Sequence, residues 1–162
     1  MNIINSLINI NDKKTLEISL CLGDDISKEM ISFVTKVYGI TFFENKLVLI
    51  YNSKRDIWGF PGGTIEQGES LKEALLREIL EETELRLVSS EYLGYSYINA
   101  NKNELQVFFY VEAEKIKDGF VDPDESVTKN EYIDPTETSQ YIDWGQVGES
   151  LISKALEKNK SK

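Results

Sequence analysis

The chain has 162 residues, of which 41% are hydrophobic, and a formal net charge of −10. This size and composition suit one globular domain, residues 1–162, and the negative charge argues against binding long nucleic acid through its phosphates. Histidine is absent and Cys21 is the single cysteine, which excludes Ser-His-Asp and Cys-His catalysis, the usual zinc sites and an intrachain disulfide.

Compartment and membrane contact also follow from composition. No apolar run approaches membrane-spanning length. The opening stretch MNIINSLINI lacks the basic region and the long apolar core of a signal peptide. A lone cysteine fits a reducing compartment. We therefore expect a cytoplasmic protein without a membrane partner, and a small anionic substrate if metal ions neutralise both sides.

Strands dominate the predicted elements. Residues Thr15–Leu22 alternate between apolar and polar side chains, which predicts one strand within an N-terminal extension, residues 1–30. Apolar or aromatic runs predict five more strands: Ser32–Phe43, Lys46–Tyr51, Trp58–Phe60, Tyr92–Ile98 and Leu105–Glu112. Glu44-Asn45 separates the first two of these runs, which predicts a hairpin.

Two helices are predicted as well. Ser70 and Glu73 form an S-x-x-E capping box, so the first helix should begin at about Leu71. The second should cover residues 144–158, with Asp143 as its N-cap. The acidic segment 118–137 predicts a loop and a short strand. This order predicts an α/β or α+β fold with helices packed on a mixed β-sheet.

A glycine-rich turn precedes the first helix. Pro61-Gly62 suits the central positions of a type II turn, in which the second residue has positive φ. Gly62 and Gly63 also let the backbone approach a ligand closely and leave carbonyl groups available to a cation. On its own, the tripeptide indicates only an ordinary loop.

Glu78, Glu81 and Glu82 crowd the end of the first predicted helix. Each carboxylate there is unfavourable by about a few tenths of a kcal/mol, because the C-terminal end of a helix carries partial negative charge. On a helical projection Glu78 and Glu82 continue the apolar face, and Glu81 flanks them. Acidic helix ends are more often solvated, but two inward-facing carboxylates one turn apart can hold a hard divalent cation.

Taken together, the spacing of the glycine turn and the helix glutamates resembles a sequence motif of the Nudix hydrolase family, the Nudix box. This motif is G-x5-E-x7-R-E-U-x-E-E-x-G-U, where U is a bulky apolar residue. The residues that match in register are Gly63, Glu69, Arg77, Glu78, Ile79, Glu81, Glu82 and Leu85. The preceding Trp58-Gly59-Phe60-Pro61-Gly62 is similar to the usual lead-in. Glu84 departs, because it stands where the family has glycine. A glutamate there should adopt another geometry or cost roughly 1 kcal/mol.

The resemblance implies an α/β/α sandwich and a Mg²⁺-dependent pyrophosphohydrolase, with Mn²⁺ as a substitute. Its substrate would be a nucleoside triphosphate or another nucleoside diphosphate derivative, cut at the diphosphate bridge. The implied metal ligands and catalytic residues are Glu78, Glu81 and Glu82, with the Gly62 carbonyl as a further ligand. Gly63, Glu69 and Arg77 would be structural supports, with an Arg77–Glu69 ion pair that holds the loop against the helix.

The remaining site residues are predicted outside the box. Because histidine is absent, the implied general base is an acidic residue of a later loop, with Glu125 first, Glu131 second and Asp124 third. Aromatic residues on predicted strands are either core residues or stack a nucleobase: Tyr95, Tyr97, Phe108 and Tyr110. The alternative to an enzyme is a catalytically silent nucleotide-binding module that regulates a partner. A homodimer is compatible with both.

Overall fold

The computed structural model describes residues 3–11, 14–23, 25–99, 103–116 and 127–161. Nine strands are present in these ranges: β1 (Ile3–Asn11), β2 (Lys14–Leu22), β3 (Val34–Phe43), β4 (Lys46–Asn52), β5 (Ile57–Gly59), β6 (Gly62–Thr64), β7 (Leu85–Asn99), β8 (Asn103–Lys115) and β9 (Val127–Ile133). The helices are α1 (Lys28–Ile31), α2 (Leu71–Thr83), α3 (Gly145–Lys160) and a 3₁₀ helix at Pro135–Gln140.

All nine strands belong to one mixed sheet. Its order is β1-β2-β7-β8-β3-β4-β5, with β6 paired to β3 and β9 paired to β4. Strands β3 and β8 are parallel, and the other pairings among the described strands are antiparallel. The mixed sheet that the sequence predicts is therefore confirmed.

Helices α2 and α3 cover opposite faces of this sheet. Val111 of β8 packs in one apolar cluster with Leu75 and Ile79 of α2. The preceding residue, Tyr110, packs in a second cluster with Leu151 of α3. Since neighbouring residues of a strand point to opposite faces, the sheet is the middle layer of an α/β/α sandwich.

The N-terminal segment differs from the prediction. Residues 1–30 contain two paired strands, β1 and β2, where one strand was expected. Strand β1 escapes a periodicity argument because apolar residues occur on both of its faces. Ile8 is buried in the core, whereas Leu7 is 71% exposed. Burial by the rest of the sheet, not the local pattern, separates the two faces.

The second predicted helix begins one residue later than expected. Trp144, not Asp143, is the N-cap of α3, and it makes no side-chain capping hydrogen bond. In the acidic segment 118–137, the short strand is confirmed as β9, whereas the 3₁₀ helix was not predicted. The hairpin at Glu44-Asn45 is also confirmed, with positive φ at both residues, as a type I′ turn requires.

Helix α2 begins as predicted. The Ser70 hydroxyl accepts a hydrogen bond from the Glu73 N–H at 3.2 Å, and the Glu73 carboxylate accepts one from the Ser70 N–H at 2.8 Å. At the other end, Glu84 adopts the left-handed conformation with φ of 58°. A glutamate thus takes the backbone geometry that favours glycine, so the chain leaves the helix as a glycine there would allow.

We expect Glu84→Gly to raise the free energy of unfolding by about 1 kcal/mol, because glycine adopts positive φ without a steric penalty from Cβ. Chemical denaturation measures the change. Glu149→Gly is the control, since Glu149 is exposed within α3 and glycine inside a helix should lower stability by about 1 kcal/mol. A Glu84→Gly variant no more stable than the parent would contradict strain at this residue.

Candidate active site

A cleft of about 1080 Å³ lies on the α3 face of the sheet. Its floor includes Lys36 and Tyr38 of β3 and Gln106 of β8, and Trp58 and Trp144 also line it. Cavities that bind small ligands are commonly of this size, with apolar and aromatic walls and a few polar groups. Gly62 and Glu82 line it too, which brings the glycine turn and the acidic helix end to the same space.

Gly62 must be glycine. Its φ is 151°, and a Cβ there would lie 2.2 Å from the carbonyl oxygen of Val37. Its N–H donates a hydrogen bond to the Glu82 carboxylate at 2.8 Å. The positive φ was predicted, but a type II turn needs about 80° at this residue. Instead, Gly62 opens strand β6 and pairs with Tyr38.

Gly63 makes room for a carboxylate. A Cβ on Gly63 would lie 2.5 Å from Oε1 of Glu78 and 2.8 Å from its Cδ. The Glu78 residue is only 9% exposed, so its carboxylate is packed against the bare backbone of β6. The inward orientation that the helical projection predicts for Glu78 is therefore confirmed.

Arg77 connects the loop to the acidic helix end. Its Nε and Nη2 donate to the two oxygens of Glu69 at 2.7 and 3.0 Å, which is a bidentate ion pair. Nη2 also donates to the Thr64 carbonyl at 3.1 Å. Nη1 donates to Glu78 at 2.8 Å and to Glu81 at 3.3 Å. The ion pair that the resemblance implies is present, and the same guanidinium also orients two of the helix carboxylates.

The pKa values of two of these carboxyl groups shift in opposite directions, because burial dominates at Glu78 and the Arg77 contacts dominate at Glu69. Burial raises the pKa of Glu78, although the adjacent Arg77 opposes the shift. The hydrogen bonds from Arg77 lower the pKa of Glu69. Three glutamates share one guanidinium, so negative charge is in excess around it. A bound cation would relieve that excess.

The residues fit a hard divalent cation by their ligand chemistry. Carboxylate oxygens and a backbone carbonyl are the donors that Mg²⁺ and Mn²⁺ prefer, and Gly63 has no Cβ to displace the Glu78 carboxylate. Within the described part of the chain, however, no three acidic side chains form a group that could hold a metal ion. Binding would therefore require carboxylate rotation, for example of Glu82 away from the Gly62 N–H.

Residues 34–153 match the family model of the NUDIX domain. The chain belongs to the Nudix hydrolase family. Curated Nudix relatives include an 8-oxo-dGTP diphosphatase of Buchnera aphidicola, 33% identical over 60 residues, 36% of this chain and 48% of that protein. An RNA pyrophosphohydrolase of Campylobacter jejuni is 41% identical over 61 residues, 34% of this chain and 39% of that protein. The chain spans about half the length, or less, of the curated relatives it matches.

Solved structures agree with the Nudix fold. A Bacillus subtilis pyrophosphohydrolase, BsRppH, has a TM-score of 0.71 and 23% identity, covering 99% of this chain and 97% of that one. The NUDIX domain of Shewanella oneidensis NrtR, complexed with ADP ribose, has a TM-score of 0.61 and 19% identity, covering 83% and 94% of the two chains.

No helix in the described part of this Nudix chain is long and apolar enough to cross a membrane.

The aromatic residues that were candidates to stack a base lie elsewhere. Phe108 and Tyr110 are fully buried, and the Tyr110 hydroxyl donates to Asn159 at 3.1 Å. For these two residues the substrate-binding prediction is wrong, because neither ring has a free face, and the core alternative is right. Tyr97 is 37% exposed but does not line the cleft. The next residue, Ile98, does, so Tyr97 points to the opposite face.

Candidates for the general base are only partly described. Glu125 and Asp124 lie outside the described residues. Glu131 lies on β9, where its carboxylate pairs with Lys129 at 2.6 Å, and it does not line the cleft. Its neighbour Asn130 points the other way and donates to the Thr83 carbonyl at the end of α2 at 3.4 Å.

Sequence reasoning missed most residues of the cleft. Trp58 and Tyr141 make an edge-to-face contact with ring centroids 5.1 Å apart, and both line the cleft with Trp144, Arg55 and Lys36. The lead-in motif pointed to the neighbourhood of Trp58, but Trp144 reads as a core residue of an amphipathic helix. No short motif joins these residues, because the fold gathers them from separate segments.

We expect Glu69→Gln to lower the free energy of unfolding by about 1 kcal/mol at neutral pH, because the bidentate pair with Arg77 is lost. Arg77 lowers the pKa of Glu69 below its ordinary value of 4.5. The contribution of Glu69 is therefore fully present above that value and is lost as the pH falls through the lowered pKa.

The difference between variant and parent should accordingly shrink as the pH falls from about 5 to about 3. Denaturant unfolding at several pH values measures this, with Glu66→Gln as the control because Glu66 is exposed in the same loop. A difference that stays constant across this pH range would show that the ion pair is not its cause.

Proposed function

We propose that this Nudix chain is a divalent-metal-dependent pyrophosphohydrolase that cleaves the diphosphate bridge of a nucleoside triphosphate or another nucleoside diphosphate derivative. The observation that carries the proposal is the seating of the Glu78 carboxylate against the bare backbone of Gly63, beside a nucleotide-sized cleft that Glu82 and Gly62 line. The 8-oxo-dGTP and RNA activities named for relatives make those two substrates the first to test.

The acidic residues would hold the cation. Glu78, Glu81 and Glu82 would be its carboxylate ligands, and Gly62 would offer its carbonyl. Bound Mg²⁺ supplies charge neutralisation at the phosphate oxygens and lowers the pKa of a bound water. Arg77 orients Glu78 and Glu81 through its hydrogen bonds and would favour their ionised, ligating forms.

Other cleft residues would bind the nucleotide. Arg55 and Lys36 bring positive charge to the cleft, which a chain of net charge −10 needs in order to admit an anionic substrate. Trp58, Tyr141 and Trp144 give apolar ring surface that a nucleobase can contact. These groups position the substrate so that its diphosphate meets the acidic end of α2.

Glu125 is the proposed general base, with Asp124 after it. The support is positional: Val127, which begins β9, pairs with Asn52, and Asn52 lines the cleft. The acidic DPDES run directly precedes Val127 in the sequence. Glu131 is less suited, because its carboxylate already pairs with Lys129.

A catalytically silent nucleotide-binding module is the second candidate. It is favoured by the absence, among the described residues, of an acidic group already shaped for a metal. Glu84 does not support this alternative, because it adopts the left-handed geometry and leaves the glutamates of α2 in place. A nucleotide panel that binds without being hydrolysed, with Mg²⁺ or Mn²⁺ present, would favour the silent module.

We expect Glu82→Gln to lower turnover by about 100-fold or more while the protein stays folded, because a neutral amide is a poor ligand and cannot match the charge of a carboxylate. The assay is a panel of nucleoside triphosphates, 8-oxo-dGTP, ADP-ribose, dinucleoside polyphosphates and 5′-triphosphorylated RNA, scored for pyrophosphate, phosphate and monophosphate release. Glu84→Gln, at an exposed residue of the same helix end, should keep full activity. Unchanged turnover in Glu82→Gln would refute the assignment.

Two glycine substitutions should distinguish effects on metal binding and turnover from effects on the stability of the fold. Gly63→Ala should leave stability nearly unchanged but weaken Mg²⁺ binding and turnover, because the three atoms nearest to the new Cβ all belong to the movable carboxylate end of Glu78. Gly62→Ala should destabilise the fold by about 2 kcal/mol or more, since its Cβ meets the Val37 backbone and its φ is 151°. Denaturation, calorimetry with Mg²⁺ and the hydrolysis assay measure the three effects. Full Mg²⁺ affinity in Gly63→Ala would contradict the proposed seat for Glu78.

A further inference from the structure

Gln106 is a buried polar residue on the floor of the cleft. It is 3% exposed and lines the cleft. Its neighbours on β8, Leu105 and Val107, pack in an apolar cluster on the other face of the sheet. Strand alternation therefore directs the Gln106 carboxamide toward the cleft.

This carboxamide has no partner among the residues that the structure describes. The Gln106 side chain takes part in none of the hydrogen bonds or ion pairs among the described residues. Directly opposite on β7, Ser96 is fully buried, and its hydroxyl is likewise without a partner in the described part of the chain. Gln106, unlike Ser96, lines the cleft, so its amide donor and acceptor are available to a ligand bound there.

If the phosphates of a bound nucleotide lie near Gly62, Gln106 is at the distance of its base. Lys36 of β3 pairs with Gln106 on one side and with Thr64 of β6 on the other. Gln106 thus lies two strands from β6 and two residues out of register with Gly62, a separation of about 12 Å from strand spacings. A nucleotide spans such a distance between its phosphate chain and the far edge of its base.

We propose that Gln106 is the specificity-determining residue of this cleft and reads the hydrogen-bonding edge of a nucleobase, a proposal that rests on the proposed function. A carboxamide presents one donor beside one acceptor, which complements a base edge that offers the same pair, as adenine and guanine do. The adjacent Lys36 is less available for this task, because it pairs with Glu104 at 3.2 Å.

The test compares kcat/KM for ATP, GTP and base-free ribose 5′-triphosphate in the parent, Gln106→Leu and Gln106→Glu. In Gln106→Leu we expect kcat/KM to fall about 10- to 100-fold for the preferred nucleotide and to stay constant for the base-free substrate. Gln106→Glu keeps only acceptors, so it should shift preference from ATP toward GTP, whose base has an edge with two adjacent donors. Gln140→Leu, at an exposed residue of the 3₁₀ helix, is the matched control.

Binding without metal separates this inference from the proposed function. Titration of the protein with AMP and GMP, followed by tryptophan fluorescence, should show weaker binding in Gln106→Leu than in the parent even if no substrate is hydrolysed. In that case the hydrolase assignment fails and the role of Gln106 stands. The role of Gln106 alone is overturned if both proteins hydrolyse the substrates and the ratio of kcat/KM for the nucleotide to kcat/KM for the base-free substrate is the same in the parent and in Gln106→Leu. Gln106 would then be a residue that binds water. Absence of both binding and hydrolysis overturns both.

Discussion

The proposed site depends on the hydrogen bonds and ion pairs that the Arg77 guanidinium makes. It binds Glu69 and the Thr64 carbonyl on the loop side and Glu78 and Glu81 on the helix side. Three carboxylates near the end of one helix repel one another and the helix dipole, and a planar cation with five donors is suited to hold several of them at once. The loop and the helix are thereby kept in one relative position.

The glycine backbone at Gly62 and Gly63 also helps to place strand β6 against helix α2. The Gly62 N–H donates to Glu82, and Gly63 brings strand β6 closer to Glu78 than any Cβ would permit. Carboxylates and peptide groups therefore lie side by side at this end of the cleft. Hard cations and phosphate oxygens are the ligands that such surroundings suit, and the apolar rings lie farther along the cleft, where a base would be.

The N-terminal strands belong to the cleft as much as the Nudix box does. Ile8 of β1 and Leu16 and Ile18 of β2 line it, together with residues of β3, β8 and the segment before α3. The extension therefore shapes the wall opposite the acidic helix end.

Local sequence determined the elements whose signals are contained within a few residues. The Ser70–Glu73 capping box and the inward face of Glu78 are set by spacings along one helix, so they could be predicted from the residues. The Arg77–Glu69 pair was expected only from the family resemblance. Only the tertiary structure decided that Phe108 and Tyr110 are core, that Tyr97 faces away, and that Gln106 lines the cleft beside Lys36. These outcomes depend on which strands become neighbours and on which face α3 covers. The hydrophobic pattern of a single strand does not show such long-range pairings, because the burial of a residue depends on the assembled layers.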